Sequence, residues 1–148
     1  MHETPETIAE LQAIIEHSTA TAGPAIAMNF IGGGWRMSAE EFVAFWGEER
    51  LAAISTVSSK GAVHAAPLEV RLIDGKFHAA TFVDSQRLRD HRANPRCAIT
   101  SWDGPYHACI IYGTAQAGAG STTVIITPTR IYGIRPPKGH HAYEPPAG

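Results

Sequence analysis

The sequence predicts a mainly β protein, a closed antiparallel barrel of about six strands with a few peripheral helices. Three observations lead there. From Leu51 onward the apolar residues recur with a period of two, turn residues separate the apolar runs at close spacing, and helical periodicity is confined to short stretches.

Six segments read as strands. LAAISTV is followed by the turn SSKG, the longer strand AVHAAPLEVRLI, the tight turn DG and the returning strand KFHAATF. After a helical interruption come RCAITSW, the turn DGP, YHACIIYGTAQ and TTVIITPTRIYGI, in which Pro128 predicts a bulge or an edge. On the second strand Ala66, Leu68, Val70 and Leu72 share one face while Pro67, Glu69 and Arg71 share the other.

Helices are expected at three places. Residues 4–17 carry Ile8, Leu11, Ile14 and Ile15 at helical spacing behind a Thr4 cap and Pro5. SAEEFVAFWGEER pairs Ser38 with Glu41 as a capping box and buries Phe42, Phe45 and Trp46. SQRLRDHRAN ends at Asn94, before Pro95. The glycine-rich TAGPAIAMNFIGGGWRM predicts instead a turn at IGGGW between two short apolar strands. We expect one domain: an N-terminal helix and linker hairpin over 1–36, the barrel over 37–135, and an extended or flexible tail over 136–148.

Composition narrows the function. A chain of 148 residues that is 44% hydrophobic and 18% charged can bury a core. Its formal charge of −2 argues against nucleic acid as a partner. No apolar run is long enough for a membrane helix and the N-terminus is acidic, so no membrane association and a cytoplasmic location are expected. Cys97 and Cys109 are too few for a disulfide framework, and His107 with Cys109 on one strand lacks further ligands nearby, so no metal is expected.

The densest chemistry lies in TFVDSQRLRDHRANPR, where Arg87, Arg89, Arg92 and Arg96 make up 4 of the 12 basic side chains. Ser85 stands where a strand passes into a helix, so the amides of Ser85, Gln86 and Arg87 are expected to face outward unpaired. Together with the hydroxyls of Thr81 and Ser85 and the Arg87 guanidinium they form a compact anion site. The residues alone allow two readings, a phosphate cradle or a routine N-cap with a solvated basic face. Asp84 and Asp90 oppose a surface that tracks a nucleic-acid backbone.

The succession of pieces resembles the flavin-binding split barrel of the pyridoxamine-phosphate-oxidase-like family. MSAEEFVAFWGEERLAAISTV is similar to its first helix and strand, GAVHAAPLEV to its second strand, and HAATFVDSQRLRDHRANPRCAIT to its phosphate-binding element. The spacing from Trp102 to Gly113 is similar to its next hairpin. The resemblance runs from Met37 to about Ala117 and more weakly to Ile134.

That resemblance implies a six-stranded antiparallel split barrel holding FMN, or alternatively the 8-hydroxy-5-deazaflavin coenzyme. It implies a phosphate held by Thr81, Ser85 and Arg87 with Ala80 and Gln86 as neighbouring contacts, and a ring against Pro67, Leu68 and Glu69. It also implies a homodimer with the flavin at the interface. Arg87 replaces the more usual Lys, and Ala108 stands where the true oxidases have a Gln that touches the flavin. The Arg- and His-bearing C-terminal segment that grips substrate in those oxidases has no counterpart, so pyridoxamine phosphate is not the expected substrate. The expected activity is hydride transfer through the flavin to an unknown small-molecule substrate; the alternative is a non-catalytic flavin carrier or sensor. The deazaflavin's anionic tail would call on Arg89, Arg92, Arg130, Arg135 or Lys138. No side chain is singled out as catalytic, since the cofactor itself carries the hydride.

Overall fold

Strands β1 (Glu49–Val57), β2 (Val63–Ile73), β3 (Lys76–Ala80), β4 (Arg96–Asp103), β5 (His107–Ala117) and β6 (Thr123–Ile134) pair antiparallel in the order β1-β2-β3-β6-β5-β4. Ala53, Ile54 and Ser55 of β1 pair with Thr100, Ile99 and Ala98 of β4, and this contact closes the barrel. The computed structural model describes residues 3–30, 34–82, 84–118, 120 and 122–145. All six predicted strands are present. The third is shorter than expected, ending at Ala80, so that Thr81 and Phe82 belong to the junction with the next helix.

Alternation fills the barrel. Ile54, Val70, Leu72, Phe77, Ala79, Ile99, Ile111, Val124 and Ile126 point inward and are buried, because side chains on a pleated strand project to opposite faces in turn. Helix α3 (Ala39–Trp46) adds Phe42 and Trp46, and the Trp46 ring meets Phe77 edge-on with centroids 4.9 Å apart. The indole N–H donates to the Val70 carbonyl at 3.0 Å, so the largest core side chain leaves no polar group unpaired. The expected capping box forms: Ser38 Oγ accepts from the Glu41 amide, and the Glu41 carboxylate accepts from the Ser38 amide.

Helix α1 (Pro5–Ala20) packs on β6 and α3 through Leu11 and Ile15, capped by Thr4 as the sequence indicates. Its Ser18 hydroxyl donates to Ile14 O and accepts the Ile131 amide, tying the helix to β6. Residues 24–30 correct the sequence reading. Pro24–Phe30 is a helix, α2, rather than a strand. The glycines counted against helix flank PAIAMNF instead of interrupting it, and Pro24 takes the first helical position, where its missing N–H costs nothing. Of the IGGGW turn, Ile31, Gly32 and Gly33 lie outside the described residues.

Pro128 marks the irregularity expected of it. The β5–β6 register slips between Tyr112, opposite Arg130, and Gly113, opposite Pro128. At this bulge β6 comes so close that a Cβ on Gly113 would lie 2.5 Å from the Thr127 carbonyl oxygen, which only glycine tolerates.

After β6 the described residues 135–145 include turns at 138–142. Two of these turns are closed by His140 N–H to Pro137 O and Tyr143 N–H to His140 O, both at 3.0 Å. His140 stacks edge-on against Trp35 and Tyr106, with centroids 4.8 and 4.9 Å away. Pro/Gly composition concealed an aromatic cluster whose members come from three distant segments.

Candidate functional site

Helix α4 (Gln86–Ala93) begins where β3 ends. Ser85 is its N-cap, its hydroxyl accepting from the Leu88 amide at 3.1 Å. Thr81 Oγ1 lies 2.8 Å from Ser85 Oγ, and the Arg87 guanidinium reaches back to Thr81 Oγ1 at 3.2 Å and the Ala80 carbonyl at 3.3 Å. The T-x-x-x-S-x-R step thus closes into a cluster of two hydroxyls and one cation. One element differs from expectation: the Ser85 amide donates to the Phe82 carbonyl. Only the amides of Gln86 and Arg87, which begin the helix, remain without intrahelical acceptors.

A cavity of about 360 Å³ opens beside this cluster, lined by Ile54, Thr56, His64, Ala65, Ala66, Leu68, Phe82, Ser85, Gln86 and Arg87. Of the residues proposed from sequence, Leu68, Ser85, Gln86 and Arg87 therefore share one space, with Thr81 and Ala80 bonded to Arg87 at its edge. Pro67 and Glu69 do not join them. They occupy the opposite face of β2, and Pro67 lines another hollow of about 480 Å³ with Glu49, Arg50, Leu51, Ala52, Ala53, Trp102 and Asp103. The alternation that turns Leu68 toward the cradle turns its neighbours away.

Arg87 has the chemistry of an anion ligand. Burial lowers its pKa from the ordinary arginine value, yet its Nε is buried without a hydrogen-bond partner. A buried unpaired donor on a cation, beside two hydroxyls and the first two amides of α4, suits a phosphate group, whose oxygens accept from donors of these kinds. Neighbouring His91 is not a second cation: burial first, then the Arg87 charge, lower its pKa against the opposing effect of Asp90.

Sequence reasoning missed the buried carboxylate that ties together Thr56, His64 and Gln86 of this cavity. Asp90, counted among the surface charges, is 1% exposed. It accepts from Thr56 Oγ1 at 2.7 Å and Gln86 Nε2 at 2.8 Å, and its Oδ2 lies 2.7 Å from His64 Nδ1. Burial pushes its carboxyl up, but these hydrogen bonds and the interaction with His64 together hold it below the ordinary value. Part of the signal was legible: Gln86 and Asp90 stand one helical turn apart, and His64 shares a face with Ala66 and Leu68. That β1 brings Thr56 to the same point was not.

Basic groups suggested for an anionic tail are scattered. Arg89 stays near the cradle, bonded to the Asp84 carbonyl and Gln86 Oε1. Arg130 donates to Thr21 and Tyr132. Arg135 pairs with Glu41 and lines, with Lys138 and His107, a separate hollow of about 540 Å³. Both cysteines face inward, and burial pushes the Cys97 thiol to about 11 and the Cys109 thiol to about 12.

The barrel is shared with known structures. A conserved hypothetical protein of Mycobacterium tuberculosis, Rv2991, superposes with a TM-score of 0.61 at 18% identity, over 70% of this chain and 88% of that one. A FAD binding protein of Mycobacterium smegmatis gives 0.56 at 16% identity, over 67% and 95%. An F420 reductase gives 0.54 at 14% identity, over 60% and 94%. No curated protein matches the chain in sequence. The family model described as pyridoxamine 5'-phosphate oxidase matches residues 38–122, which contain α3, β1 to β5 and the cradle. With more than half of its 148 residues inside that match, the chain belongs to the pyridoxamine 5'-phosphate oxidase family.

Proposed function

We propose that this protein is a flavin-dependent oxidoreductase that binds FMN at the β3–α4 junction and serves hydride transfer to a small molecule. The observation that carries the reading is Arg87: a cation with a buried, unpartnered Nε, bonded to Thr81 and opening with Ser85 onto an apolar-walled cavity. The FAD binding protein and the F420 reductase that share the fold support a cofactor of flavin type.

A bound flavin supplies the ring that accepts and gives the hydride. Ser85, Thr81 and Arg87 hold the phosphate, and the amides of Gln86 and Arg87 complete its shell. Ile54, Ala65, Ala66, Leu68 and Phe82 offer apolar surface to the ring and keep water from it. FMN is favoured over the deazaflavin, because Arg130, Arg135 and Lys138 have their own partners or line a different hollow.

A homodimer belongs to the same proposal. Leu51 (66% exposed) and Trp102 (61%) are large apolar side chains on the outer faces of β1 and β4 that line one hollow, and covering such side chains favours a second copy over water. Phe82, 86% exposed at the cavity rim, would be covered in the same way. Two buried unpaired thiols suit a reducing cytoplasm.

The test is the absorbance spectrum of the purified protein, with mass measurement of any extracted chromophore, followed by titration with FMN. A yellow flavin of FMN mass, or stoichiometric uptake of added FMN, is expected. Failure to bind any flavin overturns the reading, and binding without turnover over a panel of electron acceptors makes the protein a carrier or sensor.

A further inference from the structure

We propose that His91 is the positioning residue of Arg87: its neutral ring accepts from the Arg87 Nε–H through one buried water and holds the guanidinium toward the phosphate cradle. The inference rests on the flavin reading and adds a residue that acts on the ligand only through another side chain.

Arg87 and His91 stand one helical turn apart on α4, a spacing that brings their Cβ atoms to within about 5 to 6 Å. Among the described residues, four buried side-chain polar atoms have no hydrogen-bond partner, and three of them are Arg87 Nε, His91 Nδ1 and His91 Nε2. Buried polar groups are normally paired, directly or by an ordered water, so unpaired atoms gathered on two neighbours call for one explanation. His91 is 5% exposed, and the helix that carries it packs against β1 and β5.

Chemistry decides which group completes which. A guanidinium carries donors only, and a neutral imidazole has one acceptor nitrogen. Other side-chain acceptors of α4 and its N-cap are taken: Ser85 Oγ by the Leu88 amide, Gln86 Oε1 by Arg89, and the Asp90 carboxylate by Thr56, Gln86 and His64. That leaves His91 to accept from Arg87 Nε. Burial, and then the Arg87 charge, lower the pKa of His91 against the effect of Asp90, which keeps the ring in its accepting form near neutral pH. Neither ring nitrogen is bonded to Nε directly, so one water that accepts from Nε and donates to the ring makes the link. With Nε held from the inside, Nη2 is aimed at Thr81 Oγ1 and the Ala80 carbonyl, at 3.2 and 3.3 Å. A guanidinium ordered before the anion arrives loses less freedom when it binds.

Fluorescence-quenching titrations with FMN and with riboflavin, on the full chain and on His91→Leu, His91→Gln and His91→Asn, read this role. His91→Leu should stay folded, with a urea midpoint close to that of wild type, yet bind FMN about tenfold more weakly. Riboflavin, without the phosphate, should bind wild type and His91→Leu alike. His91→Gln or His91→Asn, whose amide oxygen can stand in for Nε2 or Nδ1, should restore most of the FMN affinity. In an Arg87→Ala background, His91→Leu should change FMN affinity by less than about twofold, because no guanidinium is left to hold. Undiminished FMN affinity in His91→Leu, a loss shared by riboflavin, no rescue by either amide, or the same loss without Arg87 overturns the inference while Arg87-dependent FMN binding stands. An unfolded His91→Leu overturns it as well, by making the residue a part of the core. A wild type that binds no flavin overturns the functional reading and this inference together.

Discussion

Thr81 Oγ1 and Ser85 Oγ lie 2.8 Å apart across the junction where β3 gives way to α4, and the Arg87 guanidinium closes on Thr81 from the far side at 3.2 Å. Ser85 also caps the helix, so the proposed phosphate contact and the fold would draw on the same hydroxyl. That double use separates the expected behaviour of the two residues.

Arg87→Ala should cost at most about 1 kcal/mol of stability, since its two hydrogen bonds are long and the side chain is half-buried. FMN binding should weaken by about ten- to a hundredfold, the usual worth of a hydrogen bond to a charged group. Riboflavin, without the phosphate, should bind both proteins alike. Equal FMN affinity in wild type and variant, by fluorescence quenching, would remove Arg87 from the site.

Ser85→Ala and Ser38→Ala form a controlled pair. Each deletes an N-cap bond and should lower stability by about 1 kcal/mol in chemical denaturation. Only Ser85→Ala should weaken FMN binding. If Ser38→Ala weakens it equally, the loss reports the fold and not the cradle.

Asp90 should be visible in the acid limb of stability. Its carboxyl is held below the ordinary value in the folded chain. Its contribution is therefore complete above the unfolded value of about 4 and is lost as pH falls from there through the depressed folded value. Asp90→Asn should flatten this part of the profile and lower stability near neutrality by about 2 to 4 kcal/mol, because Thr56, Gln86 and His64 cannot all be satisfied by one amide. Urea melts from pH 3 to 7 on both proteins measure it, and parallel acid limbs would count against the assignment.

Cys97→Ala with Cys109→Ala should leave FMN binding and any turnover in place. Thiols pushed to about 11 and about 12 by burial are protonated at neutral pH, and only a thiolate is a nucleophile. A folded double variant that binds flavin but has lost activity would point to thiol chemistry.

Light scattering at micromolar concentration should report about twice 15.9 kDa. Trp102→Glu, a charge placed in the exposed apolar face, should shift the protein toward monomer without unfolding it. A wild type that scatters as a monomer overturns the shared-site proposal.

Local sequence determined the elements. Period-two alternation marked all six strands, Ser38 and Glu41 announced α3, and Pro128 announced the bulge, because each signal acts through neighbours in the chain. Where the local signal was averaged over too long a window, as across the glycines around PAIAMNF, the reading failed and a helix replaced a strand. The clustering of Thr81, Ser85 and Arg87 was legible for the same reason as the strands: the three lie within seven positions of one chain. What tertiary structure alone decided is everything assembled across the barrel. Closure of β4 on β1 lets α4 cover the end of β1, and pairing of β1 with β2 places Thr56 opposite His64. Asp90 thereby becomes a buried acceptor with three partners, two of them 34 and 26 residues away in sequence. Pleat geometry likewise separated Leu68, which faces the cavity, from Pro67 and Glu69, which do not. Such contacts depend on strand order and register, which are fixed by burying one common core and leave no mark on any single segment.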